Sequence, residues 1–117
     1  MLPQRYYMRI EDFSAARGAD PELSFDGGSA DAFAAALLSA LNDPALFNVW
    51  RAKQPDPDTV DESLGTLDRH ARVSARPSRS GFGGDIELVT TLPSSIIKHR
   101  MRLLVGSNWA LTDVRPA

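Results

Sequence analysis

Two histidines, fifteen carboxylates, a glycine-rich loop and a scatter of arginines are the residues of this 117-residue chain from which chemistry could be built. His70 and His99 are far apart and lack the i, i+4 spacing that puts two metal ligands on one helix face, so a zinc site would need carboxylates to complete it. Asp68 stands two residues before His70 and could in principle orient its imidazole, but a functional role for either histidine is not favoured. Asp56, Asp58, Asp61 and Glu62 offer hard oxygen ligands without the EF-hand order of glycine at position six and glutamate at twelve. They read as a solvated acidic loop stiffened by Pro55 and Pro57. No G-x-S-x-G elbow surrounds any serine, and cysteine is absent, which excludes disulfides, thiolate metal sites and a Cys nucleophile. The expectation is a chain with no metal, no cofactor and no catalytic constellation. An enzyme remains as an alternative through a pocket that uses His99 beside an acid or clustered carboxylates.

The loop Arg79-Ser80-Gly81-Phe82-Gly83-Gly84-Asp85 has the glycines of a phosphate cradle, but Ile86 takes the place of the third glycine of G-x-G-x-x-G. A strand rather than a helix start follows it, so no helix N-terminus would meet the phosphate. A hairpin loop is the better reading, with Phe82 as an exposed aromatic anchor for a partner.

Charge gives the remaining candidates. Met1 to Asp68 hold twelve Asp/Glu against five Lys/Arg, whereas Arg69 to Ala117 hold eight Lys/Arg against three. Such a division marks either a binding face or two halves of one domain neutralising each other, and the second is the blander reading. Arg72, Arg76, Lys98, Arg100 and Arg102 form the basic set, expected on one sheet surface. They are candidates for contact with a protein partner together with Phe82, or for phosphate contact. Nucleic acid is not favoured, because the basic strands carry no aromatics for base stacking. Eleven Arg against two Lys, with fifteen Ala, fit the codon bias of a GC-rich bacterial genome, which discounts arginine abundance as a nucleic-acid signal.

The elements that must position these residues follow from local pattern. Arg5–Phe13 alternates as a strand, with Tyr6, Met8 and Ile10 on one side. Leu23–Phe25 is a second short extended piece. A helix runs from Ala30 to Leu41, capped by Ser29 and stopped by Asn42-Asp43-Pro44; its mostly apolar surface predicts cover on both sides. Residues 45–52 fit a helical turn or an irregular plug, and Thr59–Leu67 a short helix weakened by Gly65. Ala71–Arg76 and Ile86–Leu92 read as strands joined by Pro77–Gly84. Ile96–Val105 fits both periods. As a strand it continues into Trp109–Val114 through Gly106-Ser107-Asn108, completing a four-strand meander, and this reading is preferred; as a helix, Gly106 ends it and Lys98 and Arg102 fall together.

The expected fold is therefore α+β over residues 1–117: one compact domain whose antiparallel sheet of about four or more strands packs against one main apolar helix. The expected core is Phe33, Leu37, Leu41, Val73, Ile86, Leu88, Met101, Leu103 and Leu111. No apolar run reaches the ~20 residues of a membrane helix and none forms a signal-peptide core, so a cytoplasmic protein is expected. The expected function is a non-catalytic binding or accessory module for a protein partner, with homodimerisation as one form of it.

Overall fold

A computed structural model describes residues 2–117. Its order is β1 (Gln4–Ile10), α1 (Ala30–Asn42), α2 (Ala45–Ala52), two short 3-10 turns (Pro57–Thr59 and Glu62–Gly65), β2 (Arg72–Pro77), β3 (Gly84–Thr90), α3 (Ser94–Val105) and β4 (Ala110–Pro116). The sheet is wholly antiparallel in the order β2-β3-β1-β4. With α2 set aside, the chain runs β-α-β-β-α-β, the split-βαβ arrangement in which β1 lies inside the sheet between its last two strands. This is an α+β domain with helices on one sheet face only.

Alternation in β1 decides which face that is. Tyr6, Met8 and Ile10 are buried while Arg5, Tyr7 and Arg9 point outward, and their partners on β3 repeat the pattern, with Ile86 and Leu88 buried opposite Met8 and Tyr6. Phe33, Leu37 and Leu41 of α1 and Ile97, Met101 and Leu104 of α3 close over that inner face. Ser29 caps α1 as its position demands, accepting a hydrogen bond from the Ala32 N–H at 3.1 Å, and α2 turns off α1 by 72° at Asp43-Pro44. No single helix among the described residues is long and apolar enough to cross a membrane.

Several expectations change. Residues 94–105 form a helix, not a strand, and the meander gives way to a sheet in which β1 occupies the place between β3 and β4. Gly106, at φ 64°, ends α3 with its N–H on the Arg102 carbonyl at 2.9 Å, as the helical reading of that stretch required. The first strand stops at Ile10 instead of running to Phe13, whose N–H turns away to the Phe82 carbonyl at 2.8 Å. The apolar helix is one of three, and its Ala35 remains exposed, so α1 is covered on one side rather than both. In the core list Val73 and Leu103 are half-buried and Leu111 is 40% exposed. Residues 59–67 make 3-10 turns in place of a helix, whereas residues 45–52 are helical throughout.

Candidate functional site

The basic residues that the sequence placed on one surface separate into three environments. Arg72 and Arg76 lie on β2 and face outward with Arg5 and Arg9 of β1 and Arg115 of β4. Carboxylates share that outer face: Arg5 pairs with Glu87 at 2.8 Å, Arg9 with Asp85 at 3.1 Å and Arg115 with Asp113 at 2.7 Å. Tyr7 is the aromatic at its centre, under the Arg115 guanidinium at 5.8 Å. A nucleic-acid backbone on this face would have to displace three ion pairs and would find a single ring for stacking.

Lys98 and Arg102 lie one turn apart on the exposed side of α3 and overlook β4. Leu111 pairs with Met8 and Val114 with Tyr6 across β1–β4, so both belong to the inner, apolar face of the sheet. The helices leave that end uncovered, and Leu111 and Val114 are each 40% exposed. The result is a groove beside α3 made of two clefts that adjoin at Lys98, one of about 370 Å³ reaching Leu111 and Val114 of β4 and one of about 520 Å³ bounded by Arg102, Ser107 and Trp109. Its floor is apolar, half-buried Trp109 stands at one end, exposed Leu2 at the other, and Lys98 and Arg102 form the wall. Among the described residues neither cation has a carboxylate within ion-pair distance.

Arg100 is the correction. It was expected beside Lys98 and Arg102 on a basic surface, but 100° per residue sends it to the opposite side of α3, where it is 0% exposed. Its Nε donates to the Ala40 carbonyl at 3.1 Å, Nη1 meets His99 Nδ1 at 3.1 Å, and the Phe47 ring lies 5.4 Å from Cζ. Arg100 therefore touches no partner at the surface. Phe82, 66% exposed at the tip of the β2–β3 hairpin, does project as expected.

His99, expected in a sheet, sits on α3 edge-on to Trp50 at 4.4 Å between ring centres. Burial, then the nearby Arg100 and Arg102 charges, pull its pKa down to about 4. Since Arg100 can only donate, Nδ1 accepts and the neutral ring carries its proton on Nε2. A depressed histidine pKa means the unfolded chain binds the extra proton first, so stability falls as pH drops from about 6.5 towards 4. Proton NMR of the His99 ring is expected to titrate near 4, and His99→Gln to flatten the decline of the urea midpoint across that window. A His99 midpoint near 6.5 would contradict the packing.

Asp68 does not orient the His70 ring; its Oδ1 accepts the His70 backbone N–H at 2.9 Å, and its Oδ2 accepts from Thr90 at 2.7 Å. Among the described residues no group of three His, Cys, Asp or Glu is placed to hold a metal ion. The glycine loop forms the β2–β3 hairpin as expected, and an added Cβ at buried Gly83 would run into the Ile10 and Glu11 carbonyls. The groove was missed by sequence reading because its floor strand, β4, resembles any other half-buried strand. The signal available was the i, i+4 spacing of Lys98 and Arg102.

In comparisons with family models, with curated proteins and with solved structures, nothing matches this chain. A split-βαβ topology hosts many unrelated activities, so the functional reading rests on the surfaces alone.

Proposed function

We propose that this protein is a non-catalytic recognition module whose α3–β4 groove takes an acidic, amphipathic segment of a partner protein. The observation that carries this reading is the pairing of an uncovered apolar floor, Leu111 and Val114, with two cations, Lys98 and Arg102, that have no acid among the described residues. Apolar side chains of the segment would complete the inner face of β4, and its carboxylates would reach the α3 wall. Pairing of a strand along the outer edge of β4 is disfavoured. The Val114 N–H there is taken by the Asp113 carboxylate at 2.8 Å, Pro116 has no N–H, and the register shifts after Tyr7. The cytoplasm is the setting we assign, and self-association is the variant in which a second copy supplies the acidic segment.

Panning a random peptide library against the protein is expected to enrich acidic sequences with regularly spaced leucine-like residues, whose binding perturbs Trp109 fluorescence. Lys98→Glu with Arg102→Glu is expected to weaken a selected peptide by about tenfold or more, and Arg72→Glu with Arg76→Glu to leave it unchanged. The reverse pattern would move the site to the outer sheet face. Tight, steeply salt-dependent binding of single-stranded oligonucleotides would replace the reading with the nucleic-acid one.

A further inference from the structure

The least expected group in the core is the Arg100 guanidinium. It is wholly buried, yet among the described residues no carboxylate lies within ion-pair distance of it. Its Nε and Nη1 have partners, the Ala40 carbonyl and His99 Nδ1, but Nη2 is buried without one. His99 Nε2 is buried without a partner as well. Native cores leave few polar groups in this state, and a buried charge lacking a counter-charge is the costliest form of it.

The chemistry that suits these two nitrogens is narrow. Both carry hydrogens, because the Arg100 contact fixes the His99 tautomer, so a group that binds them accepts hydrogen bonds. Along α3 itself the charge is positive: Arg100 is ionised, His99 is neutral, and the next charged residue is Arg102, while the Ala40 carbonyl in the last turn of α1 supplies only the partial negative charge of a helix end. A neutral water accepts a hydrogen bond but brings no counter-charge, and the Ala40 carbonyl and the Phe47 ring offset the guanidinium only in part. Cover over this corner comes from α2, which contributes Phe47 against Arg100 and Trp50 against His99. Phe47 is the one buried residue of α2, while Trp50 and His99 are half-buried.

We infer that Arg100, beneath the Phe47 and Trp50 side chains of α2, is a binding site for a compact monovalent anion of the halide or carboxylate class. The anion accepts from Nη2 and enters past Trp50 and His99. This site lies on the side of α3 away from the groove, so its test does not depend on the proposed partner.

Chloride and acetate are the probes, at fixed ionic strength made up with bulky gluconate. The quadrupolar chloride NMR line is expected to broaden with the wild-type protein, to narrow again when acetate competes, and to stay narrow with Arg100→Met. The urea midpoint of the wild type should rise with chloride, and that dependence should be lost in Arg100→Met, since a ligand that binds only the folded state stabilises it by mass action. Methionine replaces the buried charge by an apolar chain of similar length, a change that cores commonly tolerate. Equal broadening by wild type and variant would reduce the effect to surface arginines and overturn the site. Absence of broadening by the wild type would show that water alone completes Arg100, and this arm decides the question even if the variant fails to fold. Broadening that acetate leaves untouched would overturn the carboxylate half of the assignment.

Discussion

Replacing Phe33 by alanine is expected to cost about 3–5 kcal/mol, a large share of the roughly 5–15 kcal/mol that holds a domain together. Phe33 is 0% exposed on the sheet-facing side of α1. Its ring meets Phe25 edge-on at 5.3 Å between centres and Phe13 at 5.9 Å. Those two rings belong to the segment between β1 and α1, which has no helix or strand of its own and is held by a few backbone bonds such as Phe25 N–H to the Leu104 carbonyl at 2.8 Å. Truncation therefore opens a cavity beneath α1 and removes the ring against which that segment packs. Urea denaturation of the variant should show the midpoint falling with little change in slope, and Phe33→Leu, which keeps most of the volume, should lose less. A loss below about 1 kcal/mol for Phe33→Ala would place the core elsewhere.

Asp68→Ala is expected to have the next largest effect. The carboxylate is 8% exposed and gathers the Thr90 hydroxyl at 2.7 Å, the Thr91 N–H at 3.1 Å and the His70 N–H at 2.9 Å, while the Asp68 N–H reaches the Leu41 carbonyl at 2.9 Å. The side chain thus ties the entry to β2 to the exit of β3, and the Asp68 backbone N–H joins both to the end of α1. Alanine strands the buried Thr90 hydroxyl at a cost of about 1–3 kcal/mol, and loss of the remaining bonds adds to it. Burial pushes the Asp68 pKa up, but the hydrogen bonds from Thr90, Thr91 and His70, with the His70 charge, outweigh it and leave the pKa below its ordinary value. The folded state therefore holds the proton less well than the unfolded one. The contribution is complete above the ordinary aspartate pKa of about 3.9 and is lost as pH falls through the lower folded value. Wild type and Asp68→Ala should converge in stability in strong acid; a gap independent of pH would assign the effect to packing instead of charge.

The acidic windows of the two buried groups separate. His99 acts between about 6.5 and 4, and Asp68 below that. Acid unfolding of the wild type should therefore begin with the corner under α2 and finish with the Asp68 tie.

Much of this was legible in the chain, and the parts that were share a cause. Ser29 before an apolar run and Asn42-Asp43-Pro44 after it define α1 from contacts within a few residues, and the glycine loop between two alternating runs defines the β2–β3 hairpin in the same way. The two halves of opposite charge were visible too, but not that they fail to neutralise each other. Arg5 and Arg9 of the first half take Glu87 and Asp85 of the second, and among the described residues Arg115 is the one second-half cation with an acid, which leaves Arg72, Arg76, Lys98 and Arg102 among those without. That outcome depends on strand order, which local charge does not encode.

The sequence by itself determined part of the core (Phe33, Leu37, Leu41, Ile86, Leu88 and Met101), the absence of thiol chemistry, the α1 helix and the β2–β3 hairpin, because each rests on residue type or on neighbours close along the chain. Tertiary structure alone decided the rest. Ile96–Val105 satisfies period 2 and period 3.6 at once, and it became a helix when β1 took the sheet position between β3 and β4, a pairing that joins residues about a hundred positions apart. Once that stretch coils, three basic residues two apart can no longer share a face. Lys98 and Arg102 turn towards the open floor of β4, and Arg100 turns into the core, because a helix advances 100° per residue where a strand alternates by 180°.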